Sequence, residues 1–284
     1  MLTSLLVASD LSSRSKPAVM RGVQLADSTQ ARLAILHVVE DDQPEDRMRE
    51  EMRSAAAFLE EQATALGRPA HCEIVTRAGD AFRVIAEEAQ ARAADLIVLG
   101  AHRRQFLRDI FIGTTIERVT RTAGCPLLMA NAKTGERWRR VLIAVDLSET
   151  SGQAARAALA LGLLDEAEVT FLHAYAPVTR QMMIHAGVGE NRVRAEAERE
   201  FQAIRREVSG FIQGLGLGDL DYAARIVEGT GATAIAGVVE QAKPDLLVIG
   251  TRGLSGVKRL FLGSVAQELM SSVEIDILAV PPKA

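Results

Sequence analysis

Residues 5–12 read LLVASDLS and residues 141–148 read VLIAVDLS, identical at five of eight positions. A separation of 136 residues is far longer than the roughly 20–50 residues of a solenoid repeat, so the match points to a duplicated domain. The same separation carries His37 of AILHVVE onto His173 of TFLHAYA. Farther along, DLIVLG (95–100) and DLLVIG (245–250) agree at four of six positions, the separation having grown to 150. That value also relates Gly79 to Gly229 and Gly113 to Gly263. One module is written twice, and the second copy carries fourteen extra residues between His173 and Gly229. The expected domains are 1–132 and 138–284, with the polar stretch NAKTGERW (131–138) as linker.

Within each copy the hydrophobic period alternates. TSLLVAS is a short apolar run that reads as a strand, PAVMRGVQLADST spaces its apolar residues at three and four as a helix does, and ARLAILHVV is a strand again. EDRMREEMRSAAAFLEEQATALG carries Met48, Met52, Ala55, Leu59, Ala63 and Leu66 on one stripe. HCEIVTR, AFRVIAEEAQARA, DLIVLG, TTIERVTRTA and CPLLMA continue the alternation. Five mostly parallel strands, covered by helices on both faces, follow for each half: an α/β, doubly wound, Rossmann-like fold. Right-handed crossovers bring Asp10 and Asp146, with Gly100 and Gly250, to the carboxyl edge of the sheets, where open α/β sheets bind ligands.

Composition narrows the function classes. At 48% hydrophobic, 25% charged and only 4% aromatic, the chain has the aliphatic interior of an α/β protein. A net charge of −4 argues against nucleic acid or an anionic membrane as partner. No run approaches the roughly 20 apolar residues of a membrane helix, and the first residues read as a strand rather than a signal peptide; the expected location is cytoplasmic. Cys72 and Cys125 share no metal or redox spacing and read as reduced structural thiols. The five histidines show no metal-ligand spacing.

The chemistry concentrates in GTRGLSGVKRLFLGSVAQEL, 250–269. Gly250 closes a buried strand, Gly253 follows, and Gly263-Ser264 opens the last helix. Glycines let backbone N–H groups approach a polyphosphate, and Ser264 stands where an N-cap is expected, so its hydroxyl and the helix's first N–H groups can hold an anion. Two ordinary turns would explain the same glycines. Asp146 has two readings as well: a hydrogen-bond acceptor for a ribose or adenine edge, or the cap of the helix in SETSGQAARAALA.

The spacing G-x2-G-x9-G-S, with an Asp after the first strand, resembles the nucleotide-binding signature of the universal stress proteins, and the likeness extends over both halves. The resemblance implies two tandem adenine nucleotide alpha hydrolase-like sheets about a pseudo-two-fold axis. It further implies ATP, with or without Mg2+, as ligand of the second half. Carried over, the site comprises Asp146 at the nucleoside, Ala144, Val145 and Ala174 on the adenine side, and Gly250, Arg252, Gly253, Gly263, Ser264 and Val265 around the phosphates. In single-domain relatives the last strand pairs across a two-fold axis; here CPLLMA and IDILAVP are expected to make that pair internally, a further homodimer staying open.

The first half departs from this pattern. Its loop GAHRRQFLRDIFIGTTIERV keeps Gly100 and Gly113-Thr114 but puts Arg103 at the second glycine position. Loss of that site is expected, leaving Asp10 as a cap for the following helix, although Arg103, Arg104 and Arg108 retain charge for an anion. His37 and His173 are expected to be structural or adenine-adjacent. The segment 180–190, with its glycines and methionines, is read as a flap or a common loop, and a long helix is expected from about Asn191. No catalytic nucleophile, acid–base pair or metal site stands out. The leading expectation is an ATP-binding stress-response module acting through an unknown protein partner. The alternatives are a slow ATPase or phosphotransferase, against which stands the absence of GxxxxGK[ST], and a nucleotide-free scaffold.

Overall fold

The computed structural model describes residues 1–67, 69–100, 115–131, 137–252 and 262–282. The first half runs β1 (Ser4–Ala8), α1 (Lys16–Thr29), β2 (Arg32–Val39), α2 (Glu45–Ala65), β3 (Cys72–Ala78), α3 (Ala81–Ala91), β4 (Leu96–Gly100), α4 (Thr115–Thr122) and β5 (Leu127–Ala130). The second runs β6 (Arg140–Ala144), α5 (Glu149–Ala160), β7 (Glu168–Tyr175), α6 (Val178–His185), α7 (Glu190–Gly214), β8 (Tyr222–Glu228), α8 (Gly231–Ala242), β9 (Leu246–Gly250), α9 (Ser264–Ser272) and β10 (Asp276–Val280).

The strands form one ten-stranded sheet in the order β3-β2-β1-β4-β5-β10-β9-β6-β7-β8. Neighbours within each half are parallel, and the halves meet through the antiparallel pair β5–β10, in which Leu128 faces Leu278. Those two leucines are equivalent under the 150-residue separation, so the pseudo-two-fold axis passes between them. The strands are aliphatic because both sheet faces are covered. Leu5, Val7, Ile143 and Val248 pack under α1, α2, α5 and α7, while Leu6, Ile97, Leu142 and Leu247 pack under α3, α4, α8 and α9. Both apolar layers run through both halves without a break.

Two matched carboxylates clamp the amino edge. Asp95 accepts hydrogen bonds from Thr3 N (2.8 Å), Thr3 Oγ1 (2.7 Å) and Ser4 N (3.0 Å). Asp245 accepts from Arg139 N and Arg140 N, both at 2.8 Å. Burial pushes the Asp95 carboxyl up, but the Thr3 and Ser4 donors outweigh it and hold the group below the usual carboxylate value.

Three local expectations are corrected here. Ser148, not Asp146, caps α5: its Oγ accepts from Ser151 N at 3.2 Å. Asp10 does not cap α1, whose N-cap residue is Ser15 and whose first turn receives no side-chain cap; its carboxylate turns back on Ser12 instead. The segment 180–190 is neither wholly flap nor loop. Residues up to His185 form α6, anchored where Arg180 donates to both carboxylate oxygens of Glu228 at 2.8 and 2.7 Å, and only 186–189 turn into α7. Neither cysteine is in a disulfide, and burial pushes the Cys125 thiol up to about 11. No described helix is long and apolar enough to cross a membrane.

Candidate nucleotide site

The DLS of the repeat is a built turn. Leu147 (φ 64°) and Leu11 (φ 60°) both occupy the left-handed region, unusual for a branched side chain, and both pack on the core. Burying the leucine throws the preceding Asp toward the carboxyl edge. There Asp146 Oδ1 accepts from Ser148 N at 3.1 Å and from Ser148 Oγ; Asp10 Oδ1 does the same with Ser12. Burial raises the Asp10 pKa, yet the Ser12 hydrogen bonds leave it below the ordinary value.

The histidines hold this turn in place. His173 Nδ1 donates to Val145 O at 2.9 Å, and Val145 N donates to Leu172 O at 2.9 Å. In the first half His37 Nδ1 donates to Ser9 O at 2.8 Å, and Ser9 N to Leu36 O at 2.9 Å. A carbonyl can only accept, so each ring carries its proton on Nδ1. These contacts give the histidines a positioning role: they fix the backbone immediately before the Asp. Ala174 follows His173 on β7, which lies beside β6.

Gly250 has a packing reason to be glycine. A Cβ there would lie 3.1 Å from Thr150 Cγ2 and 3.2 Å from the Thr150 backbone, where α5 crosses the end of β9. Gly100 is tighter still, with Arg14 O 2.4 Å from the Cβ position. That explains why both halves keep this glycine although only one keeps the rest of the pattern. Beyond it, Thr251 O accepts from Gly263 N at 2.8 Å, and Thr251 N donates to Val280 O at 2.9 Å, so the two ends of the glycine loop are pinned together on β10. Arg252 stands partly buried at the loop's start. Gly253 lies outside the described residues, as do Arg103, Arg104, Arg108, Gly113 and Thr114.

Ser264 is the first residue of α9 and not its cap; the N-cap is the extended Gly263 (φ −62°, ψ 145°). Among the described residues no side chain caps this helix, so the N–H groups of its first turn face the carboxyl edge with the positive end of the helix dipole. Val265 beside them is 37% exposed, a large apolar group at the rim. Ala144, Val145, Asp146, Ala174, Gly250, Arg252, Gly263, Ser264 and Val265 thus belong to the ends of β6, β7 and β9 and the start of α9. Sequence reading missed the fourth wall. Gly229 (φ 141°) and Gly231 (φ 55°) form the turn after β8, and the Gly231 Cβ position lies 3.4 Å from Val265 Cγ2. The Gly79–Gly229 match was the signal that could have found it.

A sequence model of the universal stress protein family matches residues 1–131 and again residues 137–281. The chain belongs to that family. A family member from Thermus aquaticus is 29% identical over 143 residues, which are 98% of that protein and 50% of this chain; this chain is thus similar to that single-module relative over half its length. A universal stress protein from Archaeoglobus fulgidus superimposes with a TM-score of 0.68 at 18% identity, covering 98% of both chains. A functionally unknown Pseudomonas aeruginosa protein does so with a TM-score of 0.65 at 22% identity, covering 99% of this chain and 93% of its own. The fold they share with this chain is the adenine nucleotide alpha hydrolase-like α/β class.

Proposed function

We propose that the C-terminal half binds an adenine nucleotide, ATP by preference and with or without Mg2+, and that the protein is a stress-response module whose nucleotide state governs a protein partner. The observation that carries this reading is the start of α9: an N-terminus without a described side-chain cap, tethered through Gly263 to Thr251 at the mouth where Asp146 and Ala174 also end. An uncapped helix start supplies N–H donors and half a positive charge to a phosphate. Arg252 adds a full charge. The Asp146 turn, held by His173, offers a carboxylate at the same sheet edge as that anion site, and the half-buried Ala174 offers a small apolar surface for an adenine ring, with Val145 packed in the core beneath. A regulatory role rather than catalysis is favoured by the lack of a Walker-type lysine in the loop, and a cytoplasmic location goes with it.

Isothermal titration with ATP, read as stoichiometry per chain and repeated on Gly253→Arg, tests the proposal. The expected result is one site that the substitution removes, with no phosphate release above background. Two sites would mean that the first half still binds, and no site would leave the protein a nucleotide-free scaffold.

A further inference from the structure

The interface between the halves holds a buried network that its pseudo-symmetry does not repeat. Asp276, at the start of β10 and fully buried, accepts from Arg21 of α1 through Nε (3.0 Å) and Nη2 (2.8 Å). The same oxygen accepts from Trp138 Nε1 at 2.9 Å, and the other from Asn131 N at 2.8 Å. The Arg21 guanidinium lies 4.4 Å from the Trp138 ring centroid. The repeat separations give the counterpart of each member: Ala157 for Arg21, Leu2 for Trp138, Pro126 for Asp276 and Pro281 for Asn131. The strand registers obey the same separations, Leu5↔Leu33 matching Val141↔Val169 and Ile97↔Leu127 matching Leu247↔Ile277. One quadrant of the interface is therefore charged and the opposite quadrant apolar.

We propose that this one-sided network is a pairing code, by which the β5 and β10 edges accept the unlike half and reject the like half of a second copy. If two N-terminal halves paired, each Arg21 would meet Pro126 where Asp276 now stands, a buried guanidinium deprived of this carboxylate. If two C-terminal halves paired, each Asp276 would meet Ala157 in place of Arg21 and the imide nitrogen of Pro281 in place of the Asn131 N–H. At the axis itself apolar contact does not discriminate, because Leu128 and Leu278 are the same residue type. Discrimination comes from burying each charge without the Arg21–Asp276 ion pair, which the wrong partner does not supply.

Disulfide trapping in the intact chain tests this. With Cys72 and Cys125 replaced by Ala, the thiol of Leu128→Cys faces Leu278 in the native pair. It can face the same thiol of a second chain only when two N-terminal halves meet. The rate of covalent dimer formation under mild oxidation therefore reads like-half pairing. We expect it to rise at least tenfold when Arg21→Leu and Asp276→Leu are introduced together. The doubly substituted Leu128→Cys/Leu278→Cys chain serves as control, its internal disulfide showing that each background closes. Should the leucine pair fail that control, Arg21→Gln with Asp276→Asn is read in the same way. Equal trapping rates with and without the network would overturn the proposal, as would rapid trapping in the native background.

Discussion

At the scale of single residues, the glycines of the signature have different reasons to be there. Gly250 and Gly100 sit where a helix start crosses a strand end, so their small size serves packing whether or not a ligand binds. A methyl group at Gly100 would overlap a backbone oxygen at 2.4 Å, whereas at Gly250 the nearest atom, 3.1 Å away, is a side-chain methyl. Backbone cannot yield as a methyl can, so Gly100→Ala should cost about 1–3 kcal/mol of stability, as overpacking does, and Gly250→Ala less. Urea unfolding of the two variants checks the order; equal or reversed losses would disprove it. Gly263 differs again: a Cβ would lie 3.3 Å from Thr251 O, and as the N-cap residue of α9 it has no side chain with which to cap the helix. None of these distinctions is visible in a spacing pattern, which records that a glycine is present and not what approaches it.

At the scale of elements, repeated residues reveal repeated devices. The Asp that opens DLIVLG and DLLVIG ties the amino ends of β1 and β6 to the strands beside them, on the edge opposite the proposed nucleotide site. Because the Asp95 pKa is lowered by folding, its contribution to stability is complete above the unfolded value of about 3.9 and is lost as pH falls through the folded value. Asp95→Asn should therefore lower stability at neutral pH and flatten the acid limb of the stability curve below about pH 4. Denaturation midpoints at several pH values give the comparison; an unchanged acid limb would show that Asp95 is not the group titrating there. The helix α6 belongs to this scale too. Its ion pair to Glu228 is half-exposed, with side chains 36% and 45% accessible, so it fixes position more than it adds stability. The sequence of 180–190 concealed this helix because its anchoring partner is 48 residues away.

At the scale of the whole molecule, a tandem chain replaces an intermolecular pair by an intramolecular one, and the buried Arg21–Asp276 pair lies across that junction. Removing one member strands a desolvated charge, so Arg21→Leu is expected to cost about 3–5 kcal/mol, while Arg21→Leu with Asp276→Leu together should cost far less than twice that. A double-mutant cycle on chemical unfolding measures the coupling; additive losses would mean that the two groups act independently. The outer edges of the joined sheet are β3 and β8, so the β5 and β10 edges of the two halves are spent on each other.

From its sequence alone this protein's duplication, alternating elements and parallel sheets were legible, as were the loop that marks the second half and the expectation of an internal strand pair. Hydrophobic period and repeat spacing are local or self-referential, and a chain displays them without being folded. Tertiary structure decided the rest: Ser148 rather than Asp146 as the cap of α5, Gly263 rather than Ser264 as the N-cap residue of α9, histidines that position a turn, and the Gly229–Gly231 wall. It also decided that Arg21, Asn131, Trp138 and Asp276 form one network. Each of those four sits in unremarkable local sequence, and Arg21 and Asp276 are 255 residues apart. Their meaning comes from desolvation, and desolvation is a property of what surrounds a group in space.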